Sequence, residues 1–90
     1  MDIDKIIHIN DDYFIERFDG EITVYHPTLT TSVYLNETGA LIWELCDGRR
    51  SVADIISILT EIYPESGEQI EADVKDVVLK LVENQIGLLK

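Results

Sequence analysis

The side chains that most often carry chemistry in proteins are few and scattered in this chain of 90 residues. His8 lies in a predicted loop and His26 at a predicted strand end, and neither has the Cys-His or His-x-x-x-His spacing of a metal site. Cys46 is the one cysteine, which excludes an internal disulfide and is typical of a small core residue in a reducing compartment. Phosphate-binding loops and nucleophile motifs are absent. We therefore expect no catalytic residue, no metal and no cofactor.

Carboxylates are the exception, since 18 Asp and Glu face 7 Lys and Arg, for a formal net charge of −11. So many acidic side chains make neighbouring pairs inevitable, and no pocket motif selects two of them for acid–base catalysis. Such a surface repels phosphate backbones and favours basic or apolar partners, but it also keeps a small domain soluble. The composition therefore predicts a protein that is not an enzyme and has no nucleic-acid partner.

The first half of the chain is predicted to form a small antiparallel sheet. Residues 13–18 and 21–26 flank Asp19-Gly20, the strongest short signal for a hairpin with a two-residue turn. Residues 31–35 follow as a third strand, which lies at an edge of the sheet and has unpaired backbone groups. The core face of the predicted hairpin comprises Tyr13, Ile15, Ile22 and Val24.

The second half is predicted to form three helices. Asn36 is a suitable N-cap for the first, which is apolar on nearly every side and is expected to be buried between other layers. Capping boxes that begin at Ser51 and at Ser66 start the second and the third. Residues 1–12 are predicted to be a loosely ordered lead-in that can add a short strand or pack one isoleucine. The fold class is α+β and winged helix-turn-helix-like, a single domain over residues 1–90 with a three-stranded antiparallel β-meander followed by three α-helices.

Two functions are compatible with this architecture before any family is considered. An extended peptide can add to an open strand edge that lies beside an amphipathic helix, although such an edge can also be idle. The alternative is a winged-helix transcriptional regulator or another protein-interaction module. A DNA reader carries basic side chains along its recognition helix. The third helix instead carries two lysines against five acidic residues, namely Glu68, Glu71, Asp73, Asp76 and Glu83.

Residues 36–52, NETGALIWELCDGRRSV, resemble the signature of the PqqD-like family, small winged-helix modules also called RiPP recognition elements. The resemblance continues through residues 70–74, IEADV, to residues 87–89, GLL, and so covers roughly residues 13–89. It implies a non-catalytic peptide chaperone that binds the leader region of a ribosomally made precursor peptide. The implied partners are that leader and a leader peptidase, a radical-SAM enzyme or another modifying enzyme of natural-product biosynthesis.

The resemblance also implies a binding site, because family members pair the leader antiparallel with the third strand and pack it against the third helix. The side of the third helix that faces the leader is left open by the sequence, with Val78 or Val82 as alternatives to some of the implied residues. Carried onto this chain, the implied peptide-binding residues are Thr31, Ser32, Val33, Tyr34 and Leu35 on the strand, and Asp73, Asp76, Val77 and Lys80 on the helix.

The pathway is a narrower expectation. Resemblance to the dedicated protein of pyrroloquinoline quinone (PQQ) biosynthesis weakens before residue 30. The hairpin built on Asp19-Gly20 is more similar to the stand-alone leader-binding proteins of lasso-peptide clusters, whose partner is a separate cysteine leader peptidase. No apolar run approaches the ~20 residues of a membrane span and no signal-peptide pattern is present. We therefore expect a cytoplasmic location and no membrane partner.

Overall fold

The computed structural model of the protein describes every residue from Met1 to Lys90. Its strands and α-helices are β1 (Ile7–Ile9), β2 (Phe14–Phe18), β3 (Glu21–Tyr25), β4 (Ser32–Leu35), α1 (Glu37–Leu45), α2 (Val52–Ile62), α3 (Gly67–Glu83) and β5 (Gly87–Leu89).

Strands β2, β3 and β4 form the predicted antiparallel meander, in that order. At the β2–β3 turn Asp19 and Gly20 have φ angles of 50° and 82°, and positive φ at both positions is what a type I′ turn requires. Ile22 and Val24 of β3 are buried, while Phe18 is exposed on the opposite face. The α+β fold class, the three strands followed by three helices, and the core face of the hairpin are confirmed.

The amino-terminal segment is more ordered than predicted. Strand β1 pairs antiparallel with β5, so that Ile7 lies opposite Leu89, and Ile7 is fully buried. Before it, the Ile3 carbonyl accepts a hydrogen bond of 2.7 Å from the Ala53 amide of α2. The segment is therefore not loosely ordered, whereas the short strand and the packed isoleucine that the sequence allowed are both confirmed. Three residues are too few to show a strand period, and the partner strand lies at the other end of the chain.

Helix α1 is less buried than its composition predicts. It packs on β3, β4 and α3, and its buried residues are Gly39, Ala40 and Ile42. Leu41 on the remaining side is about half exposed. The helix thus lies between the sheet and α3, as expected, but its burial is incomplete, because the side that carries Leu41 remains open to solvent.

The two predicted capping boxes have different outcomes. The Ser51 hydroxyl accepts from the Asp54 amide and the Asp54 carboxylate accepts from the Ser51 amide, both at 3.0 Å, so the first box is confirmed. The second is wrong, because Ser66 makes no side-chain cap. It ends a short 3₁₀ turn, Pro64–Ser66, that leads directly into α3. Gln69 donates instead to Asp73 Oδ1 within α3, at 2.8 Å.

The core is one cluster of buried hydrophobic side chains contributed by both sheets and all three helices, and it holds no polar or charged residue. No buried side-chain nitrogen or oxygen lacks a hydrogen-bond partner. The interior of the protein thus contains no polar side chain that could bind a ligand. We therefore expect a binding site to lie on the surface. None of the helices combines the length and the apolarity that a membrane span requires.

Candidate functional site

Strand β4 is an edge strand whose side chains alternate between core and solvent. Val33 and Leu35 are 7% and 2% exposed and pack in the core, while Tyr34 is 57% exposed. Since β4 pairs only with β3, its second edge carries unpaired backbone groups. A period of two is what a strand with one buried face shows, and it makes the register of β4 well specified.

The backbone groups of β4 that point to the open side follow from the register. In an antiparallel pair, opposite residues alternate between pairs that exchange hydrogen bonds and pairs that do not. The His26 amide donates to the Thr31 carbonyl at 3.2 Å, and Tyr25 lies opposite Ser32 with Thr23 opposite Tyr34. The alternation therefore directs the amides and carbonyls of Val33 and Leu35 towards β3. Those of Ser32 and Tyr34 point outward.

The turn that leads into β4 is held by His26. Its Nδ1 atom accepts from the amides of Thr28 and Leu29, at 3.2 and 3.1 Å. The imidazole packs against the Tyr13 ring in a T-shaped arrangement, with ring centroids 5.2 Å apart and an interplanar angle of 77°. His26 thereby acts as a structural residue that holds the turn before the edge strand.

Helix α3 faces two ways. Val74, Val78 and Leu81 are fully buried in the core, which excludes Val78 from a surface groove. Val77 is also buried but lies at the boundary where α3 approaches β4. The polar side chains of Asp73, Asp76 and Lys80, on the adjacent helical turns, line the same gap between α3 and β4. The side of α3 that faces β4 thus carries Asp73, Asp76, Val77 and Lys80.

A shallow cleft of about 150 Å³ separates β4 from α3. This is below the ~300–1,000 Å³ of typical small-molecule sites, and one of its walls is the open edge of a strand. Of the residues implied by the resemblance, those that line the cleft are Tyr34, Leu35, Asp73, Asp76, Val77 and Lys80. Thr31, Ser32 and Val33 lie along the strand but outside its lining. Sequence reasoning missed the cleft residues Asn36, Thr38 and Gly39, although Asn36 was already marked as the N-cap that follows the edge strand.

Negative charge surrounds the cleft. The Asp73 carboxylate accepts from Gln69 and has no cation within 4.0 Å, while Asp76 is paired with Lys80 at 3.4 Å. On the strand side, Glu21, as an acceptor beside the phenol, raises the pKa of Tyr34 most; desolvation and the charges of Glu21 and Glu37 raise it further. Both walls are therefore acidic.

The exposed face of α3 offers no free cation to a nucleic acid. Its two lysines are paired, Lys75 with Glu71 at 3.7 Å and Lys80 with Asp76 at 3.4 Å. Arg50 at the α1–α2 turn is likewise paired with Asp47, at 3.2 Å. A phosphate backbone approaching this helix would meet a net negative field, which disfavours DNA binding.

Two observations concern metal binding and the reactivity of the one cysteine. No group of three or more His, Cys, Asp or Glu side chains is placed to hold a metal ion. Burial raises the pKa of the Cys46 thiol to about 12, and its sulfur donates to the Ile42 carbonyl at 3.2 Å. Such a thiol stays protonated and is a poor nucleophile.

The family described as "Coenzyme PQQ synthesis protein D (PqqD)" matches residues 21–86, a stretch that contains β3, β4 and all three helices. The chain belongs to the PqqD family. Among curated proteins, the PqqA binding protein of Klebsiella pneumoniae (strain 342) is 64% identical over 33 residues, which are 37% of this PqqD-family chain and 36% of the relative. That of Methylococcus capsulatus (strain ATCC 33009 / NCIMB 11132 / Bath) is 40% identical over 52 residues, 58% of this chain and 54% of the relative. The chain thus matches between about a third and a half of the length of these relatives.

One solved structure has the same fold as this PqqD-family chain over nearly its whole length. The structure of TbiB1 in complex with the TbiA(beta) leader peptide superposes with a TM-score of 0.71 and covers 88% of this chain and 92% of TbiB1. The sequence identity is 22%, so the likeness establishes the fold. The order of the sheet and helices described above is therefore that of an experimentally known architecture.

Proposed function

We propose that this protein is a non-catalytic adaptor that captures the leader of a ribosomally made precursor peptide by β-strand addition to β4. The observation that carries the proposal is the open edge of β4, which faces α3 across a cleft. An incoming strand would bond to the outward amides and carbonyls of Ser32 and Tyr34. Its side chains would alternate between the cleft and the outer face of the sheet.

The helix completes the site by supplying side-chain contacts. In this proposal, Val77 and Leu35 form the apolar floor beneath the peptide, and Asp73, Asp76 and Lys80 form its polar rim. Thr31 and Val33 support the strand from within, since their backbone groups pair with β3. The peptide runs antiparallel to β4, as the family resemblance implies.

The names of similar proteins support a peptide ligand. The relatives in Klebsiella pneumoniae and Methylococcus capsulatus are called PqqA binding proteins, and the solved structure with the same fold holds a leader peptide. The proposal extends to partners, because an adaptor that captures a precursor leader presents that peptide to another protein. We infer that a leader peptidase or a modifying enzyme acts on the captured peptide.

The pathway remains the narrower part of the proposal. The hairpin of β2 and β3 favours a stand-alone leader-binding protein that works with a separate peptidase, as in lasso-peptide clusters. PQQ biosynthesis is the alternative, which the names of the curated relatives favour. The gene that lies beside the coding sequence decides between them, since a cysteine peptidase with a cyclase indicates the first pathway and a radical-SAM enzyme the second.

Isothermal titration tests the binding function directly. The leader of the neighbouring precursor gene is expected to bind with a Kd below about 10 µM, or roughly −7 kcal/mol. Its unmodified core peptide, titrated in the same buffer, serves as the matched ligand control and is expected not to bind. Absence of saturable binding at about 100 µM to every precursor of the cluster would remove the proposal.

A further inference from the structure

The charges at the walls of the cleft bear on which peptide sequence it accepts. Asp73 and Asp76 project from α3 at its rim, and Glu21 and Glu37 lie beside Tyr34 on the strand side. Lys80 is the one basic residue of the lining, and it is already paired with Asp76. An unbound cleft of this kind holds an excess of negative charge close to a row of unpaired backbone groups.

The two aspartates are spaced to meet one side of a strand. They are three positions apart in the helix, which is about 4.5 Å along its axis. Alternate residues of a strand lie ~6.6 Å apart on the same side, and flexible lysine or arginine side chains span the difference. The floor beneath them, Leu35 and Val77, is apolar. Long basic side chains suit both features, because their methylene stems cover apolar surface while the charged ends reach out to the rim.

We propose that the ligand strand carries lysine or arginine at alternate positions, so that two basic side chains cross the cleft floor and meet Asp73 and Asp76. This inference rests on the proposed function, because it requires a strand paired with β4. It adds the chemical class of the ligand, a peptide strand with basic side chains. Acidic side chains on the cleft side of the strand are disfavoured, since they would meet the two aspartates.

The test presents the whole protein with peptides of unbiased sequence. A random 12-residue peptide library displayed on phage is panned against the immobilised wild-type chain, and the selected sequences are counted by position. The matched variants are Asp73→Asn/Asp76→Asn, which removes the rim charge, and Glu61→Gln/Glu65→Gln, which removes the same charge from exposed residues outside the cleft. The second variant measures how far basic peptides are selected merely by the net charge of the protein.

The expected result is enrichment of Lys or Arg at alternate positions on the wild type and on Glu61→Gln/Glu65→Gln, and its loss on Asp73→Asn/Asp76→Asn. A selected peptide whose two basic residues are changed to Glu should bind at least about tenfold more weakly in titration, because each exposed pair contributes only a few-fold and two act together. The binding should also weaken as salt is raised from roughly 0.05 to 0.5 M.

Failure of this inference differs from failure of the proposed function. Selected peptides that lose binding on Tyr34→Pro but show no preference for basic residues would refute the basic ligand and leave strand addition intact. The same basic enrichment on Asp73→Asn/Asp76→Asn would refute it too, because the attraction would then be non-specific. A library from which nothing is selected above a blank surface would count against peptide capture itself. Melting curves of both double variants verify that each is folded.

Discussion

A pair of proline substitutions on β4 tests the strand-addition mechanism most sharply. Proline removes a backbone amide and fixes φ near −65°, so its effect depends on where the lost amide points. The amide of Tyr34 points to the open edge, whereas that of its neighbour Val33 pairs with Val24 of β3. The two adjacent positions should therefore give opposite phenotypes.

Tyr34→Pro should fold and fail to bind. Its amide has no partner in the free protein, its side chain is 57% exposed, and the residue before a proline prefers the extended conformation that Val33 already has. We expect a loss of stability below about 1 kcal/mol, chiefly from the weakened contact with Thr23 across the strand pair. Leader affinity should fall by at least ~1.4 kcal/mol, or tenfold, because one hydrogen bond is lost and the proline ring crowds the incoming strand.

Val33→Pro should unfold early. The Val24 carbonyl would lose its donor inside the sheet, which costs roughly 1–3 kcal/mol, and a side chain only 7% exposed would lose packing in the core. For a domain of this size each 1 kcal/mol lowers Tm by ~4–8 °C. A loss of at least ~2 kcal/mol therefore predicts a Tm lower by about 10 °C or more.

Circular dichroism melts and isothermal titration with the precursor leader measure the two quantities independently. Tyr34→Ala is the control for the side chain, since it keeps the amide and is expected to retain most of the affinity. If both proline variants fold and bind like the parent, the leader docks elsewhere and the role assigned to β4 is wrong. If Val33→Pro is the stable one and Tyr34→Pro melts early, the direction assigned to the amides is reversed.

Three further predictions concern the fold. Ile7→Ala should lower the free energy of unfolding by about 2–5 kcal/mol in urea titration, because Ile7 is fully buried. The control Ile62→Ala, on the exposed end of α2, should change it by no more than about 0.5 kcal/mol. Equal effects of the two substitutions would mean that β1 is not part of the core. Ser51→Ala should lower the free energy of unfolding by roughly 0.5–2 kcal/mol, because the helix loses its N-cap. Ser66→Ala should leave it nearly unchanged, and the same urea titrations measure both variants. The Cys46 thiol, whose pKa burial raises to about 12, should react with iodoacetamide at pH 8.5 much faster in denaturant than in the folded protein. Because its folded pKa lies above the unfolded one, the stability it contributes is present below about pH 9 and is lost as the pH rises towards 12; rapid labelling of the folded protein would contradict this.

The cleft gives a physical reason why a winged-helix shape does not imply a DNA reader here. The surface of α3 that such a protein would place in the major groove carries paired lysines and an excess of carboxylates. The same helix presents Val77 and its neighbours to an open strand edge. Function therefore follows from the charge and the exposed backbone of these elements, and the arrangement of helices alone does not reveal it.

Features that depend on neighbouring residues were predictable from the sequence. Asp19 and Gly20 tolerate the positive φ that a two-residue turn needs, so they determine the β2–β3 register and with it the core face. Ser51 and Asp54 lie three residues apart, and the box they form requires only the first turn of a helix. The edge position of β4 also followed from the sequence, because two short connections leave the third strand of a meander with one neighbour.

Features that depend on distant contacts were decided only by the tertiary structure. Ile7 is buried because β5, at the other end of the chain, pairs with β1, and no local period signals so short a strand. Leu41 is about half exposed because the sheet and α3 leave one side of α1 uncovered, although the sequence of α1 is that of a buried helix. The side of α3 that faces β4 depends on how the helix packs against the sheet, since its apolar stripe is broad enough for more than one rotation. The apolar pattern thus determined which elements form, while competition for a small core determined which of their faces remain free to bind a peptide.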